Sequence, residues 1–280
     1  MKRVSKNNPC PICNHGDWCY LNDTGDLAFC MRVPSKMKAK SDAWIHFLKA
    51  RDSAVPVRRA PLPVPVRKHV FDAARAHESM RNAWCNEMLD FNAVNLNVNM
   101  DALERLQPGW DSFSKAVAYP MRDARGAIIG IRLRNREGKK WAVAGSRDGL
   151  FYDPGMILGE DGDLAVCEGP TDTAAAYTLG LNAVGRSSCQ TGCEMLKALA
   201  SRLRAKLITI IADADGWKER PDGSKWRPGI EGAIALGNQL GRIHRVVVPP
   251  RKDLREWVGH GCTMKEWLNW VSTSQRRLPT

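Results

Sequence analysis

The sequence predicts an α/β chain, with a parallel sheet and flanking helices in its C-terminal part. A small mixed α+β segment precedes that sheet, and a Cys-rich module begins the chain. Three observations carry this expectation. After Gly159 short apolar strands alternate with helix-length segments, and repeated βα units of this kind argue for a parallel sheet covered by helices. Between Ala116 and Phe151 the hydrophobic period changes to two. Four of the nine cysteines fall between Cys10 and Cys30. The chain is expected to divide into a Cys-rich module over 1–50, a Pro-rich basic linker over 51–69, a helical and basic β subdomain over 70–158 and an α/β domain over 159–280.

Taken in order, the first module is expected to end in a small helix around Trp44–Leu48. Pro56, Pro61, Pro63 and Pro65 follow, a density that rules out helix or central strand and favours a semi-rigid spacer carrying Arg58, Arg59, Arg67 and Lys68. The pattern from Val70 to about Leu89 is helical, with apolar residues near Phe71, Ala74, Met80, Trp84 and Met88. A shorter helix, Asp101 to Leu106, stops before Pro108-Gly109. In the stretch from Ala127 to Arg134, Ile129, Ile131 and Leu133 share one face and Gly130, Arg132 and Arg134 the other. A turn at Asn135–Lys139 leads into a returning strand, Lys140 to Ala144. Strands are expected at Leu164–Cys167, Asn182–Val184, Leu207–Ala212 and His244–Val248. Helices are expected at Asp172–Leu179, Glu194–Leu203 and Ile230–Leu240, with a last one ending near Trp270.

The formal net charge is +12, from 42 Lys plus Arg against 30 Asp plus Glu, which favours polyanionic partners. No run approaches the roughly 20 apolar residues of a membrane span, and no apolar stretch follows the basic start Met1–Lys6. A cytoplasmic chain with no membrane partner is therefore expected. In that compartment cysteines serve as thiols or metal ligands rather than disulfides.

Cys10-Pro11-Ile12-Cys13 is a C-x-x-C knuckle that supplies two ligands from one turn. Cys19 and Cys30 would close a tetrahedral Zn²⁺ site from a hairpin turning at Asp23–Asp26, with His15 the alternative to Cys19. A closed four-ligand site is structural, and the module reads as a zinc ribbon. Trp18, Tyr20 and Phe29 either stack on bases beside Arg32 and Lys36 or form the module's small core, the core being expected for two of the three.

Glu168 ends one strand and is followed by Gly169-Pro170-Thr171-Asp172, which starts a helix; open α/β sheets place their ligands at such strand ends. Asp172 alone would be an ordinary helix-start acid. Asp213 and Asp215 follow the most strand-like run of the chain. Two carboxylates side by side after a buried strand are costly unless a cation neutralises them, and Mg²⁺ suits such oxygen donors.

These residues resemble the Toprim domain shared by primases, type IA and II topoisomerases, some nucleases and RecR. The resemblance rests on Glu168 and on Asp213-Ala214-Asp215, with Asp172 matching an Asp of the primase branch and Lys252-Asp253 a Lys-Asp step after the final strand. Met121 to Gly130 looks like the basic subdomain that precedes Toprim in bacterial and phage primases, with Arg134 on its arginine and Lys140 on its lysine. Primase-helicases of phages and mobile elements carry a ribbon similar to Cys10-Pro11-x-Cys13, Trp18-Cys19 and Cys30-Met31-Arg32. The implied fold is α/β Toprim, a Rossmann-like parallel sheet with flanking helices, preceded by a mixed α+β basic subdomain and an N-terminal zinc ribbon.

The resemblance implies a DNA primase that makes short primers on single-stranded DNA by nucleotidyl transfer, in phage or mobile-element replication. Structural Zn²⁺ would sit on the four cysteines. Catalytic Mg²⁺, or Mn²⁺, would sit on Glu168, Asp213 and Asp215 with Asp172, and Asp253 would be a further ligand. Arg132, Arg134, Lys140 and Lys252 would hold template or nucleoside triphosphate. No G-x-x-x-x-G-K-[ST] occurs, so a replicative helicase is expected as a separate chain. Two further departures stand out. An insert rich in Lys, Arg and Trp, Trp217 to Pro228, grips the template or is a surface loop. The later acidic pair of some primases is reduced to Asp253, leaving the metal count open.

The rival readings are a non-catalytic RecR-like DNA-binding module, which lacks the basic subdomain, and a Toprim nuclease. A topoisomerase would need a nucleophilic Tyr in a separate DNA-gate domain; Tyr20, Tyr119, Tyr152 and Tyr177 are expected to serve packing. Cys189 and Cys193 cannot close a second metal site by themselves, and with Cys85, Cys167 and Cys262 they read as thiols. Most tryptophans are expected to pack, with Trp217 and Trp226 as stacking candidates.

Overall fold

The computed structural model describes residues 1–39, 41–48, 71–187 and 192–274. The Pro-rich segment with Arg58, Arg59, Arg67 and Lys68 lies outside the described residues, as does Cys189. The chain divides into two compact units, Met1–Arg67 and Lys68–Thr280.

The first unit is an antiparallel sheet of β1 (Lys2–Arg3), β2 (Tyr20–Leu21), β3 (Leu27–Cys30) and β4 (Trp44–Phe47), paired in that order. The β2–β3 turn falls in the expected place. Gly25 takes φ +72° there, and the Asn22 side-chain oxygen accepts from the Leu27 N–H at 2.9 Å. The helix expected around Trp44–Leu48 is instead β4. Its aromatic and β-branched residues suit a pleated surface, and Cys30 pairs with Trp44 in the ladder. The aromatics are not the core either. Trp18 is 62% exposed, Tyr20 is exposed and Phe29 half-buried, while Val4, Cys10, Cys19 and Cys30 fill the interior. Sulfur atoms occupy the space that ring carbons would otherwise take.

The second unit opens with α1 (Ala73–Asn82), α2 (Asn86–Leu96) and α3 (Met100–Glu104). The single helix expected from Val70 to Leu89 is broken at Ala83–Cys85. The cause is the sheet beneath it, reached through β5 (Gly109–Asp111), β6 (Ala116–Arg122), β7 (Ile128–Asn135) and β8 (Lys140–Ala142). Residues Ala76 and Met80 of α1 pack on Ala116, Ala118, Ile131 and Leu133. By contrast, Leu89, Ala93 and Leu96 of α2 join the cluster of Val117, Tyr119 and Met121. Alternate residues of β6 therefore face opposite helices, and one straight helix cannot cover both faces.

The chain continues through β9 (Leu150–Phe151), β10 (Asp163–Glu168), α4 (Pro170–Thr178), β11 (Ala183–Arg186), α5 (Cys193–Arg202) and β12 (Leu207–Ile211). The small hairpin β13 (Lys218–Glu219) and β14 (Lys225–Trp226) follows, then α6 (Pro228–Leu240), β15 (His244–Val247), α7 (Leu254–Gly259) and α8 (Met264–Ser274). One mixed sheet runs β15-β12-β10-β11-β9-β6-β7-β8, with β5 on β6. The strands β15, β12, β10 and β11 are parallel, and β9 joins them to the antiparallel part. Along β10, Leu164 and Val166 pack toward α5 and α6, whereas Ala165 and Cys167 pack toward α4, α7 and α8. Burial on both faces explains its continuous apolar run. At the other end of these strands, Arg245 donates to Asp163 at 2.7 Å and to Thr209 Oγ1 at 2.9 Å, which satisfies the one polar side chain inside β12.

No helix among the described residues is long and apolar enough to cross a membrane. Tyr177 ties α4 to both halves of the sheet: its hydroxyl accepts from the Asp153 N–H at 2.9 Å and donates to the Ala183 carbonyl at 2.8 Å. Tyr177→Phe orphans two buried backbone groups, and urea denaturation is expected to show a loss of about 1–3 kcal/mol.

Candidate functional site

Three strand ends converge. Glu168 closes β10, and Gly169, at φ +87°, turns the chain into α4 while its N–H donates to the Arg186 carbonyl at 3.0 Å. Asp172, one turn into α4, is only 6% exposed, and its Oδ1 accepts from the backbone N–H of Arg255 at 3.1 Å. Asp213 and Asp215 follow β12. The intervening Ala214 N–H donates to the Lys252 carbonyl at 2.7 Å, and the Asp215 carbonyl accepts from Arg227 Nε at 3.1 Å. Asp253 caps α7, accepting from the Glu256 N–H at 2.7 Å, and lies 3.8 Å from the Arg255 guanidinium. Gly229, in the first turn of α6, lies so close that a Cβ there would collide with the Asp213 carbonyl oxygen. This loop is thus held from three sides.

The carboxylates feel one another. Burial pushes Asp213 up to about 8, and Asp172, Glu168, Asp253 and Asp215 add to the shift in that order. Burial also pushes Asp172 up to about 6, with Asp253 next, and Arg255 and Lys140 partly offset the rise. Cys167, beneath them, is raised by burial and then by Asp172 and Asp213. All five expected acids therefore share one electrostatic neighbourhood, together with the expected Lys140. Hard carboxylate oxygens crowded without enough positive charge suit a cation such as Mg²⁺ that completes its shell with water and phosphate. Among the described residues the acids do not form a closed cage; the cysteine group alone is drawn tight enough to hold an ion as it stands.

The basic residues are distributed differently. Lys140 pairs with Arg134 across β8 and β7. Arg134 lines a groove of about 680 Å³ under α2, together with Phe91, Trp110, Lys115, Tyr119 and Arg136. Arg132 is engaged elsewhere: its Nη2 donates to the Ser187 carbonyl at 2.7 Å and stands 3.9 Å from Asp148. The Lys252 side chain is exposed, while its backbone fixes the Asp213–Asp215 loop.

Sequence reasoning missed the groove and missed Arg186, a buried residue in register with Glu168 on the neighbouring strand. A charge closing an apolar run, as Glu168 does, was the available signal. It also missed α7, whose Asp253 cap is a recognisable helix start.

In the first unit the sulfurs of Cys10, Cys13, Cys19 and Cys30 lie within 4.8 Å of one another, and His15 is not among them. The Cys13–Cys19 and Cys19–Cys30 separations are 3.7 and 4.0 Å. A tetrahedral Zn²⁺ with bonds of roughly 2.3 Å places its sulfurs about 3.8 Å apart. The backbone N–H groups of Arg32 and Val33 point to Cys30 Sγ at 3.4 and 3.3 Å. The cluster fits a structural zinc ion.

No protein-family model matches the sequence. No curated protein matches it either. The architecture has counterparts among solved structures, and they define a class: the catalytic cores of bacterial primases. The Aquifex aeolicus primase, with zinc-binding and RNA polymerase domains, superposes with a TM-score of 0.55 at 17% identity over 72% of this chain and 59% of that one. The E. coli primase catalytic core gives 0.52 at 16% identity, covering 72% of this chain and 78% of that one. A DnaG primase catalytic domain bound to single-stranded DNA gives 0.52 at 16% over 72% and 77%. The chain thus spans 59% of the length of the Aquifex protein. At such identities the likeness is one of fold, and the fold is the Toprim-type core that the acidic residues led us to expect.

The purified protein is expected to carry one zinc per chain by elemental analysis, lost in Cys19→Ser. The acidic cluster gives a pH signature. Asp213 keeps its proton to about pH 8 when folded, but only to the ordinary carboxylate range when unfolded. The folded state therefore binds more protons across that window, and metal-free protein loses stability as pH rises through it. Melting temperatures in chelator are expected to fall from pH 5 to pH 9. Mg²⁺ or Asp213→Asn should flatten the slope.

Proposed function

We propose that this chain is a DNA primase that makes short primers on single-stranded DNA by Mg²⁺-dependent nucleotidyl transfer. The observation that carries this reading is the convergence of Glu168, Asp172, Asp213, Asp215 and Asp253 beside the positive charge of Lys140. Glu168, Asp213 and Asp215 would hold Mg²⁺ or Mn²⁺, with Asp172 and Asp253 completing the set. When bound, the ion supplies charge stabilisation at the transferring phosphoryl group and activates the attacking hydroxyl. Asp213 would then lie deprotonated at neutral pH, the state its buried surroundings oppose without a cation.

Lys140 and Arg134 bind the triphosphate and template phosphates, Lys140 because it already sits in the field of Asp172. Arg132 holds the Ser187 carbonyl and acts as a positioning residue, joining β7 to the end of β11. The zinc unit selects a short template sequence, and a separately encoded helicase delivers the strand, as suits phage or mobile-element replication. The basic β subdomain shares one sheet with the acidic strands, which supports primase over a RecR-like module that has no such part. A Toprim nuclease would use the same metal on water, and the same experiment separates the two.

Protein incubated with mixed-sequence single-stranded DNA, labelled nucleotides and Mg²⁺ is expected to yield short products. Losing one metal-binding carboxylate removes several kcal/mol of charge stabilisation, so Asp213→Asn should lower synthesis by about 100-fold or more. Retained binding with no product favours the RecR-like module, and a shortened template favours the nuclease.

A further inference from the structure

The chain between Asp215 and α6 forms a hairpin that belongs to no other sheet. Lys218 pairs with Trp226 and Glu219 with Lys225. Gly223, at φ +81°, makes the turn, Arg220 N–H donates to the Ser224 carbonyl at 2.8 Å, and Asp222 accepts from the Ser224 N–H at 2.9 Å. An isolated two-stranded hairpin is marginal in water, so its anchors decide where it points. At its base, Arg220 pairs with Glu231 of α6 and covers the Trp226 ring at 4.9 Å. On the other side Arg227 donates to the Asp215 carbonyl, and its guanidinium stands 5.9 Å from the Trp217 ring.

Trp226 is thereby half-buried, but Trp217 remains 68% exposed. A packing role would have covered that ring, since burying a large aromatic is favourable. Trp217 follows Asp215 by two residues, so the two Cα atoms are at most about 7 Å apart. An exposed stacking surface thus stands within one nucleotide of a metal-site carboxylate. Around it the hairpin carries Lys218, Arg220, Lys225 and Arg227 against Glu219 and Asp222, with both lysines exposed.

We infer that the β13–β14 hairpin is a grip for single-stranded DNA, with Trp217 stacking on a base next to the acidic site and Lys218 and Lys225 meeting the phosphates. The inference deepens the primase reading and rests on it for the identity of the strand. Aromatic stacking tolerates any base, so the grip holds the template without reading its sequence. Arg227 couples the grip to the metal site, because the same guanidinium supports the ring and the Asp215 carbonyl.

The test uses the full chain and a fluorescein-labelled oligo(dT) in Mg²⁺ without nucleotides, followed by anisotropy. Trp217→Ala is expected to weaken binding by about 5- to 150-fold, the worth of one stacked base, while Trp217→Phe keeps most of the affinity. The Lys218→Ala, Lys225→Ala double variant should flatten the log–log salt slope by about 1.4, the release expected of two single-strand phosphates. Each variant should melt with the parent. Parent-like affinity in Trp217→Ala, or equal loss in the Ala and Phe variants, overturns the grip while leaving primer synthesis standing. Binding that depends on Trp217 in a protein that makes no product supports the grip and removes the primase reading. A parent that binds no single strand overturns both.

Discussion

Five carboxylates are drawn together where water is scarce, and much of the second unit follows from tolerating that. Asp172 is almost wholly buried and Asp213 largely so, and each raises the energy of the other's charged form. Burying like charges without compensation is among the costliest arrangements in a protein. The fold offsets part of this with fixed dipoles: the Arg255 N–H on Asp172 and the Glu256 N–H on Asp253. The remainder is left for a cation. Such a site is less stable empty than filled, which is the thermodynamic meaning of metal affinity.

The parallel strands create the convergence. Because β10, β12 and β15 run the same way, their carboxyl ends share one edge, and loops of three different sequence origins meet there. The short strand β9 extends this edge. It pairs with β11 through Arg186↔Leu150 and with β6 through Leu150↔Arg122, so one two-residue strand joins the parallel half to the antiparallel half. Arg122 is buried there and spends its guanidinium on the Gly126 carbonyl and the Gln107 side chain. Its charge is structural, unlike that of Arg134 one strand away, which lines an open groove.

The parts legible in the sequence are those where one residue type has one reason to be present. Cys10, Cys13, Cys19 and Cys30 were readable because thiolate spacing is constrained by a tetrahedron. Glu168 and Asp213 were readable because an acid closing a buried apolar strand is costly unless a cation or a donor meets it. What escaped depended on tertiary context. The Trp44–Phe47 segment has no helix-length period, and only its partner β3 makes it a strand. The Ala83–Cys85 break is invisible to periodicity, since α1 and α2 are each amphipathic and differ only in which sheet face they cover. Arg132 and Arg134 alternate correctly in sequence, yet one is tied to the Ser187 carbonyl and the other faces the groove. No spacing rule distinguishes them.

The two metal centres differ in kind, and the difference follows from their donors. Four sulfurs already stand at tetrahedral spacing, receive backbone N–H groups and fill their own core, and burial pushes the Cys19 thiol up to about 12 in the absence of an ion. Such thiols ionise only by binding a soft divalent cation, which then leaves no open position. The acidic centre has hard donors, is wider and opens beside an exposed Trp and several cations. An ion there keeps positions for water or phosphate. Zinc on the cysteines therefore holds a shape, whereas magnesium on the carboxylates has somewhere to put a substrate. The chemistry belongs to the second centre for that reason alone, whatever reaction it serves.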